Sequence, residues 1–177
     1  ICNENNLDQF IHISALGIDQ AKDSKYAKSK FHGEQKIKEN FEQATILRPS
    51  VVYSVDDNFT TSFMTMLNLL PFFPLYYNGK TKFIPIHVSE VSDIILHIIE
   101  KNISSEIIEC VGSQEYSFKE ILQKLLQLIN KNKILIPLPL MIGKIMARFL
   151  EMFPKPLLTL DQLKLLNYNN ILSGKYK

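Results

Sequence analysis

The chain reads as an α/β protein built around a parallel sheet. Three observations predict this. Short apolar runs rich in β-branched residues recur at 10–14, 45–48 and 106–111, too short for helices. Longer segments with helical spacing or capping residues lie between them, at about 24–41, 59–69 and 89–101. Strands that alternate with helices are joined by crossovers, and crossovers make parallel neighbours.

Each element has a local cause. Phe10-Ile11-His12-Ile13-Ser14 is a buried strand, in which His12 reads as a satisfied polar neighbour. Ser24 is an N-cap for a helix to about 41. That helix is dominated by Lys25, Lys28, Lys30, Glu34, Lys36, Lys38 and Glu39, a solvated face with i, i+4 pairing such as Glu34–Lys38. Gly33 within it leaves room for close packing on the neighbouring strand. Residues 45–48 form the next strand, and Pro49 ends its hydrogen-bonding run.

Asp56-Asp57-Asn58 caps a helix at 59–69, which Pro71 and Pro74 break. Asn78-Gly79 is a turn signal that predicts a hairpin of Leu75–Tyr77 with Phe83–Ile86. Ser89 caps a helix to about 101 with the apolar stripe Val91, Ile94, Ile95, Ile98 and Ile99. Ser117 and Glu120 make a capping box for a helix at 118–131. A short strand at 134–136 and helices at about 140–153 and 160–167 complete the chain.

Composition narrows the function classes. With 177 residues and a formal net charge of +2, nothing marks a nucleic-acid binder. No apolar run reaches the roughly 18 residues of a membrane span. The first residues, Ile1-Cys2-Asn3-Glu4-Asn5-Asn6, lack the pattern of a signal peptide, and the absence of an initiator Met suggests a truncated chain. Cys2 and Cys110 are far apart, so packing in a reducing compartment fits better than a disulfide framework. His12, His32, His87 and His97 show no metal-ligand spacing, and no metal site is expected. Met66, Met141, Met146 and Met152 read as core filler.

The residues with chemical promise are Tyr26 and Lys30. Their i, i+4 spacing puts both on one face of the helix after the first strand. An ammonium beside a phenol favours the phenolate and lowers its pKa, which suits acid/base work near neutral pH. The pair alone is weakly specific. Its context is more so: a strand ending in Ser14, the Tyr-x-x-x-Lys helix, then Ala44-Thr45-Ile46-Leu47-Arg48-Pro49-Ser50-Val51-Val52-Tyr53.

This succession resembles the second half of an extended or atypical short-chain dehydrogenase/reductase. Further along, Ile136-Pro137-Leu138-Pro139-Leu140, Lys144-Ile145-Met146-Ala147-Arg148-Phe149-Leu150-Glu151, Pro154-Lys155-Pro156 and Leu158-Thr159-Leu160-Asp161-Gln162 are similar to one subgroup. That subgroup is typified by the NADPH-binding 39 kDa accessory subunit of respiratory complex I, and the similarity runs from about residue 7 to 170.

The resemblance implies the C-terminal part of a Rossmann-like parallel-sheet domain over 1–112, with an inserted segment at about 58–86. A smaller, mostly helical substrate or partner domain occupies 113–177. It implies that Tyr26 and Lys30 hold the nicotinamide ribose of NADP or NAD, NADPH being favoured. Pro49, Ser50 and Val52 line the nicotinamide end. The 6 glycines, at 17, 33, 79, 112, 143 and 174, make no glycine-rich phosphate loop, so the first half of the nucleotide-binding domain is expected to be absent and dinucleotide binding incomplete.

The leading expectation is a nucleotide-binding protein of complex I accessory or assembly type with little or no turnover, in a bacterial cytoplasm or on the matrix side of the mitochondrial inner membrane. The rival is an NAD(P)-dependent nucleotide-sugar epimerase, dehydratase or reductase with Tyr26 as acid/base, Lys30 tuning it and Ser14 orienting substrate. Two departures weigh against turnover: Ala15 and Leu16 come after Ser14 where active relatives carry Ser or Thr, and Ser54 stands where a glycine is common. The helix at 140–153 is apolar on most sides. It either packs internally or meets a partner or membrane surface through Lys144, Arg148 and Lys155.

Overall fold

A computed structural model describes residues 7–154, 156 and 158–177. Cys2 and Lys155 lie outside the described residues. In chain order the strands and helices are β1 (Ile11–Ile13), α1 (Lys25–Asn40), β2 (Thr45–Pro49), β3 (Val52–Tyr53), α2 (Asn58–Leu69) and β4 (Phe72–Leu75). They continue with β5 (Lys82–Phe83), β6 (Ile86–His87), α3 (Val88–Glu100), β7 (Ile107–Cys110), β8 (Tyr116–Ser117) and α4 (Phe118–Leu128). Last come β9 (Ile134–Pro137), α5 (Leu140–Leu150) and α6 (Leu160–Leu165).

The parallel α/β architecture is present. Strands β1, β2 and β7 form a three-stranded parallel sheet in that order, with Ile13 beside Leu47 and Leu47 beside Ile108. Every residue of β2 is buried, as expected for a central parallel strand covered on both faces. Strand β3 pairs in parallel with β6, and β4 with β9.

The hairpin expected around Asn78-Gly79 does not form. Strand β4 ends at Leu75 and pairs with β9, while β5 pairs antiparallel with β8. The turn Tyr76–Gly79 is kinked, with positive φ at Tyr77, Asn78 and Gly79, and it redirects the chain instead of folding it back. Burial decides the matter. Phe73, Leu75 and Phe83 join Leu67, Phe118 and Leu122 in one apolar cluster, which a local hairpin would leave half exposed. Each such side chain contributes about 1.5–3 kcal/mol when buried. Edge-to-face contacts of Phe63 with Phe59, Phe73 and Phe118 hold that cluster together.

A second cluster, of Leu47, Ile86, Val91, Ile98 and Cys110, seats α3 on the sheet. Burial and the neighbouring Glu109 push the Cys110 thiol up to about 12, so it is an inert packing group. The N-cap of α3 is His87, not Ser89: its Nδ1 accepts from the Ser89 N–H and Glu90 closes the capping box. Of the four methionines expected in the core, Met66 is buried, but Met141, Met146 and Met152 are exposed on or just after α5. Residues after α6 return to the first sheet, where the Glu109 N–H donates to the Lys177 carbonyl at 2.6 Å.

Candidate functional site

The ladder continues past the strand ends. The Ser14 N–H donates to the Leu47 carbonyl at 2.7 Å, Leu16 N–H to Pro49 at 2.9 Å, and Ser50 N–H to Cys110 at 2.8 Å. Ser14, Pro49 and Ser50 therefore share the carboxyl-terminal edge of the parallel sheet, where open α/β sheets bind their ligands.

Helix α1 carries Tyr26 and Lys30, and Lys30 reaches this edge. Ser24 caps it by accepting from the Ala27 N–H at 3.2 Å. The first turn contains no acid, and α6 supplies one: Asp161 accepts from Ser24 Oγ at 2.9 Å, Lys25 N–H at 2.8 Å and Tyr26 N–H at 3.0 Å. A carboxylate on a helix N-terminus satisfies its orphan donors and the helix dipole. Burial alone would raise the Asp161 pKa, but those hydrogen bonds and the Lys164 charge hold it below the ordinary value.

Lys30 lies one turn on and donates from Nζ to the Ile13 carbonyl at 3.3 Å. This links the Tyr26–Lys30 face to the residue immediately before Ser14. Ser14 is buried, and its Oγ has no partner. Ala15 instead packs with Ile18, Ala21 and Ala27, so Ser14 is the residue with a hydroxyl to give. The Tyr26 phenol is half exposed, and partial burial pushes its pKa up, against the lowering expected from Lys30. The lysine ammonium faces a backbone carbonyl, and nothing offsets desolvation of the phenolate.

Below this face lies a polar cluster that the residue patterns did not predict. Arg48, the penultimate residue of β2, makes a bidentate pair with Glu34: Nε to Oε1 at 2.8 Å and Nη2 to Oε2 at 2.6 Å. Its Nη1 reaches Asp19 Oδ2 at 2.9 Å, and the Tyr176 ring stacks 4.7 Å from Cζ. Glu34 is thus buried against Arg48 and is not the surface partner of Lys38. Burial would pull the Arg48 pKa down, but hydrogen bonds and charge from Glu34 and Asp19 raise it, so it stays ionised. An arginine inside an otherwise apolar strand was the available signal, because a buried cation requires a buried acid. His12, next to this cluster, also departs from expectation: its Nε2 is buried without a partner, and desolvation, then Lys30, lower its pKa, with Glu34 opposing them.

Asn170 is the second residue no spacing could reveal. Its Oδ1 accepts from Ser50 Oγ at 2.6 Å and Val51 N–H at 3.2 Å, and its Nδ2 donates to the Leu16 carbonyl at 2.9 Å. One side chain so pins the loops that leave β1 and β2. The Ser50 hydroxyl is committed to this staple, Pro49 is buried in β2, and Val52 is half-buried in β3. Ser54 does not have a positive φ, so serine causes no backbone strain there, and its N–H donates to Asp57 Oδ2 at 3.2 Å. Among the described residues, no three His, Cys, Asp or Glu side chains converge as a metal site requires.

Comparison with known proteins shows the family and the fold. The family model described as "RmlD substrate binding domain" matches residues 20–140. A mitochondrial NADH dehydrogenase [ubiquinone] 1 alpha subcomplex subunit 9 from Dictyostelium discoideum is 28% identical over 122 residues, covering 68% of this chain and 34% of the relative. Its namesake from Mus musculus is 25% identical over 172 residues, covering 96% of this chain and 45% of the relative. The chain thus spans less than half the length of these curated relatives. Among solved structures, UDP-glucuronic acid 4-epimerase from Bacillus cereus, in complex with UDP-glucuronic acid and NAD, superimposes with a TM-score of 0.61 at 22% identity. That match covers 97% of this chain and 59% of the epimerase, and it shows a shared fold. Because the family model takes in α1, two strands of the parallel sheet and the elements up to β9, the chain belongs to the RmlD substrate binding domain family.

Proposed function

We propose that this chain is part of an NAD(P)-binding, short-chain-reductase-like protein that serves respiratory complex I as an accessory or assembly-type subunit with little or no turnover. The names of its curated relatives support the partner and a mitochondrial setting. In this reading residues 1–112, with the segment at about 58–86, belong to the nucleotide-binding part, and 113–177 to the smaller substrate or partner part.

The residues present fit a dinucleotide. Ser14 Oγ is buried without a partner at the sheet edge, and Tyr26 and Lys30 stand on the adjoining helix face. Tyr26 and Lys30 would hold the nicotinamide ribose, with Pro49, Ser50 and Val52 at the nicotinamide end. A bound nicotinamide supplies hydride chemistry; this chain's residues bind and orient it. The observation that carries the low-turnover reading is the Lys30 ammonium, bonded to the Ile13 carbonyl at 3.3 Å and so not set to acidify Tyr26. A phenol pushed upward, with Lys30 turned to a carbonyl, is a hydrogen-bond donor at neutral pH and a poor proton acceptor.

The unpartnered Ser14 hydroxyl favours a second reading, an NAD(P)-dependent epimerase, dehydratase or reductase in which Ser14 orients a carbonyl and Tyr26 exchanges its proton. The test is to purify the natural protein that carries this chain and analyse the nucleotide released on denaturation. Retained NADPH or NADH, with turnover of UDP-sugars absent and unchanged in Tyr26→Phe, supports the accessory role. Turnover that Tyr26→Phe abolishes while nucleotide is retained establishes the enzyme, and no nucleotide at all refutes both.

A further inference from the structure

Helix α5 turns its small residues inward and its large ones outward. Gly143 and Ala147 are buried, and a methyl group at Gly143 would overlap the Tyr76 ring. Met141, Ile145 and Phe149 are 76%, 68% and 63% exposed, and Met152 and Phe153 extend the apolar surface beyond the helix end. Phe149 and Phe153 pack edge to face at 5.8 Å, which holds two aromatic rings at the surface. Eleven residues are too few to span a bilayer, and among the described residues no helix is long and apolar enough to do so.

Beside this face is a cleft of about 440 Å³ between α5, α6 and the start of α1. Lys25, Lys144, Arg148 and Lys164 line it, with two carboxylates, Glu151 and Asp161. Both carboxylates are already engaged: Asp161 by the α1 N-terminus, and Glu151 by the Leu160 N–H at 2.8 Å. Lys164 donates to the Asp23 carbonyl at 3.0 Å. Among the described residues, the side chains of Lys25, Lys144 and Arg148 have no hydrogen-bond or ion-pair partner. Four cations against two carboxylates leave the cleft net positive, next to an exposed apolar stripe.

We propose that α5 docks this protein on an anionic phospholipid surface. Its apolar face lies at the headgroup–acyl boundary, and Lys25, Lys144 and Arg148 hold lipid phosphate at the cleft. An interfacial helix needs this pairing of an apolar face with basic residues that reach back to the headgroups. A protein partner fits less well: protein interfaces are depleted in lysine, whereas Lys25 and Lys144 line the cleft beside the apolar stripe. The proposal does not rest on nucleotide binding by the sheet edge.

The experiment is flotation of the whole protein with vesicles of phosphatidylcholine alone and of phosphatidylcholine with phosphatidylglycerol. Binding is expected only with the anionic lipid. Each removed cation should lower partitioning about fivefold, so Lys144→Ala with Arg148→Ala should lower it roughly twentyfold or more. Phe149→Trp adds an insertion probe whose emission, read as the difference from wild type, should shift to the blue and be quenched by brominated acyl chains. Circular dichroism checks that the variants keep the fold. Equal partitioning of wild type and the double variant overturns the proposal. So does displacement by inorganic phosphate at constant ionic strength, which would mark a soluble-phosphate site. Concentration-dependent self-association that Phe149→Ser abolishes, without vesicle binding, would show that a second copy covers the face and would also overturn it.

Discussion

Helix α1 carries charged side chains around most of its circumference, while α5 carries large apolar ones, yet α1 is the more firmly anchored by specific bonds. Glu34 of α1 is buried against Arg48, and the first turn of α1 is held by Asp161 from α6. Helix α5 buries only Gly143 and Ala147 and exposes most of its hydrophobic surface. Residue type sets what a helix can bury, while the neighbours it meets select what it does bury. A single buried acid opposite a buried arginine fixes α1. A smooth small-residue groove against Tyr76 seats α5 and leaves its other face for an outside surface.

The largest expected effect tests the α1 side. Arg48→Met leaves Glu34 and Asp19 without their cation and should cost about 3–5 kcal/mol in urea unfolding, the usual penalty for breaking a buried pair from one side. Arg48→Lys should recover only part of this, because an ammonium cannot reproduce the bidentate fork. A loss below about 1 kcal/mol would mean that water reaches the cluster and screens it.

Gly143→Ala tests the α5 side. Alanine favours a helix interior by about 1 kcal/mol over glycine, yet overlap with the Tyr76 ring should reverse the sign and give a net loss of about 1–2 kcal/mol. A stabilised variant would show that α5 does not pack on Tyr76.

Asp161→Ala should cost about 1–2 kcal/mol and speed hydrogen exchange at the Lys25 and Tyr26 amides, which lose a charged acceptor. The pH dependence has a definite sign. The folded pKa of Asp161 lies below the ordinary value of about 4, so its contribution is complete above that value and is lost as pH falls through the lowered pKa. Asp57 behaves in the same way at the start of α2, where desolvation is outweighed by hydrogen bonds from Thr60, Ser54 and Phe59. Protection of the α1 amides in wild type should fall over that acid range, and Asp161→Asn should remove this component.

The smallest effect is expected on the exposed face of α5. Ile145→Ser should change unfolding free energy by no more than about 0.5 kcal/mol, since it removes little buried surface. The same variant should weaken binding to phosphatidylglycerol vesicles. A large stability loss would place Ile145 in the core and remove the contrast between the helices.

Much of the fold was legible because local patterns carried it. The Ser24 cap, the Ser117–Glu120 box and the apolar runs of β1, β2 and β7 each arise from periodicity and capping within a few residues. The Tyr26–Lys30 pair and Ser14 were visible through their spacing and context. The Asn78-Gly79 turn was visible as a turn but misleading as a hairpin, because the partners of its flanking strands, β9 and β8, lie well downstream in sequence.

The α/β class, most of the elements and the candidate Tyr–Lys face are encoded locally, since propensity, capping and i, i+4 geometry act over a turn or two of chain. Which charges are buried and which apolar residues are exposed is settled only when the elements assemble. Glu34 finds Arg48, Asp161 finds the first turn of α1, and Asn170 finds Ser50 and Leu16 because folding brings distant segments into hydrogen-bond range. Desolvation acts on that assembled environment: the same carboxylate is a solvated surface charge on an isolated helix and a buried ion-pair partner once β2 lies beneath it.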